Sequence, residues 1–478
     1  MNIKKEINHA VKKIAAVNSI KFPKTIKEQE QIILDVEEAF EKSLFDFNKA
    51  ATLFLTQKGK KRLVKRYDDV YSPENILCQV IKQILDREFK VKYPNRNKIS
   101  HDLFTTFSAM IQMNGFTIVK FDFKDYFNSI SSVYVFEKYL EEQLSDRREI
   151  DLIRKFVDST QLAYAGLCTS NVIAEIIASQ FDKVLLHKLS ANGVIFYERY
   201  IDDCILIFNE NMEESEVIKI LKSVLLEFFY DKNISCTPCK TDFNKKKLQY
   251  VTRKNVENRD CSIDFLGYSF LLKAENKKIK VKYGITWEKR QKYQRRLDHF
   301  VSSYYDKKSP DYNDLELLRH RIAAFSMREV YLTKHFGVYV WRVKGFISNY
   351  GELRHFLGTD FIDPQTEDFM KTAVINAFQG RTKPYFLNCS KQQECGYNLY
   401  NNMKKNKTLL LVEHVGYDYK SLVALCGQIG INNKDSKGRR RGYGTLVRDY
   451  LIKSFPICRT IEITVQRAKT ALFAWSIR

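Results

Sequence analysis

Two adjacent carboxylates, Asp202 and Asp203, interrupt a stretch that otherwise reads as buried strand. Residues 196–208 run Phe-Tyr-Glu-Arg-Tyr-Ile-Asp-Asp-Cys-Ile-Leu-Ile-Phe, with isoleucine and aromatic residues on both sides of the acids. Two short β-prone runs around a polar pair predict a tight hairpin with the acids at its tip. Neighbouring acids repel when they are desolvated, unless a cation lies between them. The tip is therefore a candidate divalent-metal site; a polar turn on the surface is the alternative.

Upstream, residues 117–130 run Thr-Ile-Val-Lys-Phe-Asp-Phe-Lys-Asp-Tyr-Phe-Asn-Ser-Ile. The first half is β-prone, and Asp122 stands where the pattern wants an apolar residue. A strand that ends on an acid and turns into a helix aims that acid at a crevice. Asp125 and Asn128 follow, with Tyr126 and Phe127 between them. Carboxylates from separate strands, Asp122 with Asp202 and Asp203, suit a two-magnesium centre, because magnesium takes hard oxygen ligands and keeps positions open for phosphate. In phosphoryl transfer such ions activate the attacking hydroxyl and steady the leaving oxygens.

A chain of 478 residues exceeds one ordinary core, so about two to four domains are expected. A net charge of +22 points to an acidic polymer as partner, with solubility as the competing explanation. No apolar segment approaches the ~20 residues that span a bilayer, and the start, Met-Asn-Ile-Lys-Lys-Glu, lacks a signal-peptide core. The 10 Cys are scattered, which fits reduced thiols and a cytoplasmic location with no membrane partner. Cys236 and Cys239 form a CxxC with no second close pair to complete a zinc set.

Residues 1–114 read as mostly helical. Residues 57–66 concentrate Lys58, Lys60, Lys61, Arg62, Lys65 and Arg66 in a predicted loop or helix start, either a solvated face or a phosphate contact. Arg96 and Lys98 follow Pro94 in a predicted turn before a helix over 100–113. Both are candidates for contacting a triphosphate or template backbone.

Asp122 followed by Phe127, and Tyr200-Ile-Asp-Asp203, resemble the first and third palm motifs of reverse transcriptases. Ala165-Gly-Leu-Cys-Thr-Ser-Asn171, opening a predicted helix to about Ser190, resembles the second. Asn233-Ile-Ser-Cys-Thr-Pro-Cys-Lys-Thr241 is similar to the fourth, and Ile263-Asp-Phe-Leu-Gly-Tyr268 to the primer-gripping hairpin. The resemblance implies an α+β right-hand polymerase: N-terminal region and fingers over 1–115, a ferredoxin-like palm with interleaved fingers over 116–275, a helical thumb over 276–350 and a mainly helical extension over 351–478. It implies two Mg²⁺ ions, with Mn²⁺ as an alternative, held by Asp122, Asp202, Asp203 and the Phe123 carbonyl. Asp125, Gly166 and Ser170 would lie about the nucleotide. Phe127 would exclude a 2′-hydroxyl and so select deoxynucleotides. Lys240 would protonate pyrophosphate, and Phe265, Leu266 and Gly267 would grip the primer. Many relatives carry Gln where this chain has Ala165, a departure that touches nucleotide discrimination and template use.

Residues 287–301 read as a cationic helix whose Lys289, Arg290, Arg295 and Arg296 suit a nucleic-acid backbone. Further thumb helices are expected over 315–327 and 338–349. In the extension, helices are expected over 419–428 and 444–455. The polar stretch between them, with Arg439, Arg440 and Arg441, could clamp RNA or form an exposed loop. Asn349-Tyr350-Gly351 and Leu357-Gly-Thr-Asp360 are similar to the bacterial "unknown group" of defence-associated reverse transcriptases. The resemblance thus implies DNA synthesis from deoxynucleotides on a noncoding RNA template in antiphage defence, with a homo-oligomer as one assembly. A retron-type enzyme making a branched RNA–DNA product, or a non-catalytic RNA-binding relative, are the alternatives.

Overall fold

In the computed structural model, residues 3–18, 22–57, 60–276, 278–335, 338–387, 397–455 and 465–467 are described. The fold is a mixture of helices and mostly antiparallel sheets arranged about a five-stranded sheet. The central strand Thr117–Lys124 pairs antiparallel with Asp203–Phe208, which forms a hairpin with Val194–Tyr200. On its other side the central strand pairs with Gln249–Thr252 and then Asp242–Phe243.

The two-residue side-chain period of a strand sorts this sheet into two faces. Val119, Phe121 and Phe123 join Cys204, Leu206 and Phe208 in a core shared with the helices Cys168–Leu189 and Glu214–Phe229. Ile118, Ile205 and Ile207 belong to a second core with Phe104, Phe107 and Phe116. Lys120, Asp122 and Asp203 fall on this second face, where the apolar lining gives way to charge at one end of the strands.

A three-stranded meander, Cys261–Phe265, Tyr268–Glu275 and Lys278–Ile285, packs in the second core. The helices Trp287–Tyr305 and Tyr312–Ser326 follow, the second opened by an Asp311–Asp314 capping box. A further sheet pairs Arg328–His335 antiparallel with Val338–Lys344 and parallel with Thr408–Leu411. The extension is therefore tied into the sheet that follows those helices. Its own helices are Pro364–Asn376, Leu399–Lys404, Tyr419–Gln428 and Tyr443–Ser454. Among the described residues no helix is long and apolar enough to cross a membrane.

Three local expectations are corrected. Residues 60–66 form a strand, Lys60–Arg66, in a hairpin with Ala51–Gln57, so the N-terminal region is not wholly helical. The apolar partner Thr-Leu-Phe-Leu-Thr supplies the β-preference that the cationic strand lacks. Residues 338–349 are a strand followed by a short helix, Phe346–Asn349; the alternating Val-Tyr-Val-Trp-Arg-Val run suits a pleat better than a helix. Arg96 and Lys98 lie in the first turn of the helix Arg96–Met110, capped by Asn95, rather than in a preceding turn.

Candidate active site

The hairpin places its acids beside Asp122. Asp122 is cross-strand partner to Asp203, which pairs in turn with Tyr200. Directly opposed side chains on one face of an antiparallel pair sit about 5 Å apart at Cβ. Asp202 occupies the turn, and its carbonyl accepts from the Phe123 N–H at 3.2 Å. Ile201, just before it, holds a φ of +62°, which is costly for a β-branched residue. The Asp122 carbonyl accepts from Asn244 N–H at 2.7 Å. Both strand ends are thus fixed by backbone bonds, independently of anything the carboxylates bind.

Electrostatics within the cluster are unfavourable for three anions. Burial pushes the Asp202 carboxyl up to about 6, with Asp203 and Asp122 adding to the shift and Lys247 opposing it. Burial also raises Asp203; Asp122 adds to that, while Lys120 and Lys247 oppose it. Asp122 is only 2% exposed, and its Oδ2 accepts from the Lys247 ammonium. Lys247 closes the short turn Lys245–Lys247 after Asn244. Nothing in a Lys-Lys-Lys turn distinguishes the third residue in sequence; the pairing follows from Asn244 docking on the Asp122 backbone.

Among the described residues no group of three or more His, Cys, Asp or Glu side chains is placed to hold a metal ion. Opposed strand register and the adjoining turn bring Asp122, Asp202 and Asp203 to one end of the sheet. With the Lys247 ammonium drawn away, that end presents a set of hard oxygen donors demanding positive charge. That donor chemistry fits a divalent ion of the magnesium type.

Other predicted site residues distribute around this centre. Phe123 is buried on the opposite face of the sheet. Asp125 has a φ of +47°, and its side chain accepts from Asn128 Nδ2 at 3.0 Å. The half-buried Phe127 ring packs edge-on to Tyr126 with centroids 5.2 Å apart. Gly166 lies in the turn before the helix Cys168–Leu189, whereas Ser170 is buried with an Oγ that has no hydrogen-bond partner among the described residues. Lys240 is exposed, and its backbone N–H donates to Ser129 O at 2.7 Å. Cys236 and Cys239 are free thiols, the second buried and accepting from Ser131 N–H at 3.3 Å.

A second group gathers at the turn after Phe265. Leu266 and Gly267 both have positive φ. A cavity of about 290 Å³ beside them is lined by Arg96, Lys289, Lys292, Tyr293, Arg296 and Tyr350, among others. Arg96 donates to Asn349 O at 2.7 Å and Leu266 O at 2.6 Å. Its guanidinium thus joins these segments rather than standing free for a triphosphate, while Lys98 is exposed. Arg290 donates to Asp363 at 3.1 Å and to Gln365 at 2.8 Å, anchoring the helix Pro364–Asn376. Arg295 is exposed and folds back on Gln291 O. Lys292, one turn beyond Lys289, lines the cavity beside it.

Arg439 pairs with Asp435 at 2.9 Å and Arg441 with Asp449, whereas Arg440 is exposed on the same turn. That turn borders an open cavity of about 670 Å³.

No family model matches the chain, and no curated protein matches it. Among solved structures it is similar to apo telomerase from Candida tropicalis truncated from the C-terminal domain. That match has a TM-score of 0.35 and 11% identity, over 53% of this chain and 60% of that one. It is also similar to telomerase from Candida albicans in complex with a TWJ fragment of telomeric RNA. There the TM-score is 0.34 with 13% identity, over 81% of this chain and 66% of that one. The chain spans less than two thirds of either protein.

Proposed function

We propose that the chain is an RNA-directed DNA polymerase. The observation that carries this reading is Asp122 set opposite Asp203 across two strands, with Asp202 at the adjoining turn. Asp122, Asp202 and Asp203 would hold two Mg²⁺ ions, or Mn²⁺, which when bound activate a primer hydroxyl and stabilise the pyrophosphate oxygens. The five-stranded sheet serves as palm, the helices from Trp287 as part of a thumb, and the paired strands Ala51–Gln57 and Lys60–Arg66 as fingers. The cavity of Arg96, Lys289, Lys292 and Arg296 lies along the path of the nucleic-acid backbone. Template RNA, product DNA and deoxynucleotides are the partners. A noncoding template, a role in antiphage defence and assembly as a homo-oligomer extend the reading on the motif resemblance alone.

The test is purification with co-bound RNA, addition of Mg²⁺ and labelled deoxynucleotides, and sequencing of the product. Template-dependent incorporation lost on ribonuclease treatment and on Asp202→Asn is the expected result; incorporation that survives Asp202→Asn would sink the assignment. A non-catalytic RNA-binding relative is the second reading, favoured by the Lys247 ammonium on Asp122. The two readings part at Lys247→Met. If Lys247 is a cation that magnesium displaces, the variant melts lower than wild type in chelator, because Asp122 loses its partner. It then gains more from added Mg²⁺, by several degrees in a thermal scan. A scaffold without a metal role shows the first effect and no response to Mg²⁺.

Phe127 gates the sugar in this reading. Phe127→Ala is expected to reduce discrimination against ribonucleotides, as a ratio of kcat/KM values, by roughly 10–100-fold, the scale of steric selectivity in a rigid pocket. Unchanged ribonucleotide rejection would remove the ring from that role.

A further inference from the structure

Arg199 precedes the turn that bears Asp202, yet only 5% of it is exposed. Its guanidinium is saturated. Nη2 and Nη1 donate to Glu175 at 2.7 and 3.1 Å, and Nε reaches both Asp182 oxygens at 3.0 and 2.9 Å. Nη1 also donates to the Ile201 carbonyl at 3.1 Å. Glu175 and Asp182 lie two turns apart on the helix Cys168–Leu189. Asp182 accepts a further bond from Tyr197 OH at 2.5 Å, on the same strand as Arg199. One planar fork therefore ties the helix to the peptide that carries the hairpin's backbone strain.

We infer that Arg199 is a positioning residue that holds the strained Ile201–Asp202 turn, and through it the Asp202 carboxylate, in the geometry a divalent ion requires. The inference rests on the proposed polymerase site for its consequence, though not for its geometry. Backbone at φ +62° relaxes unless its surroundings over-determine it. The Ile201 carbonyl accepts from Arg199, and the Asp202 carbonyl accepts from Phe123 N–H. These two bonds bracket the turn, and only the first comes from a side chain. An arginine is required because lysine offers a point charge without the fork that serves two carboxylates and a carbonyl together.

The test compares Arg199→Lys with Arg199→Lys combined with Ile201→Gly. Glycine takes a positive φ without steric cost, so it relieves the need for the clamp but restores no ion pair. Mn²⁺ affinity is read by electron paramagnetic resonance on the full chain, alongside RNA binding and deoxynucleotide kinetics. Arg199→Lys should weaken Mn²⁺ binding by about 10-fold or more, the scale for groups that orient metal ligands. It should lower kcat more than it raises KM and leave RNA affinity unchanged; Ile201→Gly should recover much of the Mn²⁺ loss. Wild-type Mn²⁺ affinity in Arg199→Lys, or no recovery in the double variant, overturns the inference.

If Arg199→Lys fails to fold, Asp182→Asn loosens the same clamp from the helix side and is read identically. Wild-type protein that binds Mn²⁺ in an Asp122-dependent way yet incorporates no nucleotide removes the polymerase reading and leaves this inference standing. Normal wild-type incorporation with an indifferent Arg199→Lys does the reverse.

Discussion

Asp202→Asn should reduce deoxynucleotide incorporation by ~10²–10³-fold or more and, in chelator, raise the unfolding temperature by a few degrees. The two effects have one cause. The Asp202 carboxyl is pushed from its ordinary 3.8 up to about 6 by burial and by its two acidic neighbours. A carboxyl raised in the folded state favours folding while protonated. That contribution is complete below 3.8 and is lost as pH rises through about 6. At pH 7 the ionised group thus costs the metal-free fold up to ~3 kcal/mol, an upper bound because the turn is partly solvated. Asparagine removes the charge and keeps the shape. The stability gain should shrink towards nothing as the scan is repeated from pH 7 down to pH 4. With excess Mg²⁺ it should reverse in sign, since wild type then binds an ion that the variant does not. A variant no more stable than wild type at pH 7 in chelator would mean that the three acids do not repel as their placement requires.

The acidic hairpin was legible because its signal is local: two β-prone runs, two acids, and an upstream strand with one acid out of pattern. The parity that sends Phe121 and Phe123 to one core and Asp122 to the other face is contained in the spacing of those residues. Less local features were not legible. Lys60–Arg66 is a strand only because Ala51–Gln57 pairs with it, and no preference within a lysine-rich run declares that. Lys247 reaches Asp122 because Asn244 docks on the Asp122 carbonyl, a contact across more than a hundred residues. Arg290 and Lys292 were both visible as cations on one helix. Which of them meets Asp363 and which lines the cavity depends on where the helix Pro364–Asn376 packs. Arg199 gave no signal at all, since a single arginine in a strand acquires meaning only from Glu175 and Asp182 on a distant helix.

Gly166→Ala should be among the most damaging substitutions outside the carboxylates, because it breaks a close approach of backbone to backbone. Gly166 has a φ of +104°, and a Cβ there would stand 2.4 Å from the Lys65 carbonyl oxygen. Lys65 is itself held to this turn, with its N–H donating to Ala165 O at 2.9 Å and its ammonium 4.5 Å over the Tyr164 ring. The sequence departure at Ala165 therefore leaves the turn's visible contact intact, since the carbonyl rather than the side chain receives Lys65. Alanine at 166 must either hold this φ, at ~1–3 kcal/mol, and push away the strand Lys60–Arg66, or abandon the φ and with it the shape of the turn. Neither escape is available to a flexible side chain, because the obstructing atom is backbone. The expected result is accelerated hydrogen exchange at the Lys65 amide and along its hairpin, with a higher KM for the incoming nucleotide if this hairpin covers it. Gly427→Ala is the matched control: it lies in the helix Tyr419–Gln428 with nothing among the described residues within 4 Å of an added Cβ, and there alanine should stabilise by ~0.5–1 kcal/mol. Unaltered protection at Lys65 in Gly166→Ala would show that the hairpin is not seated on this turn.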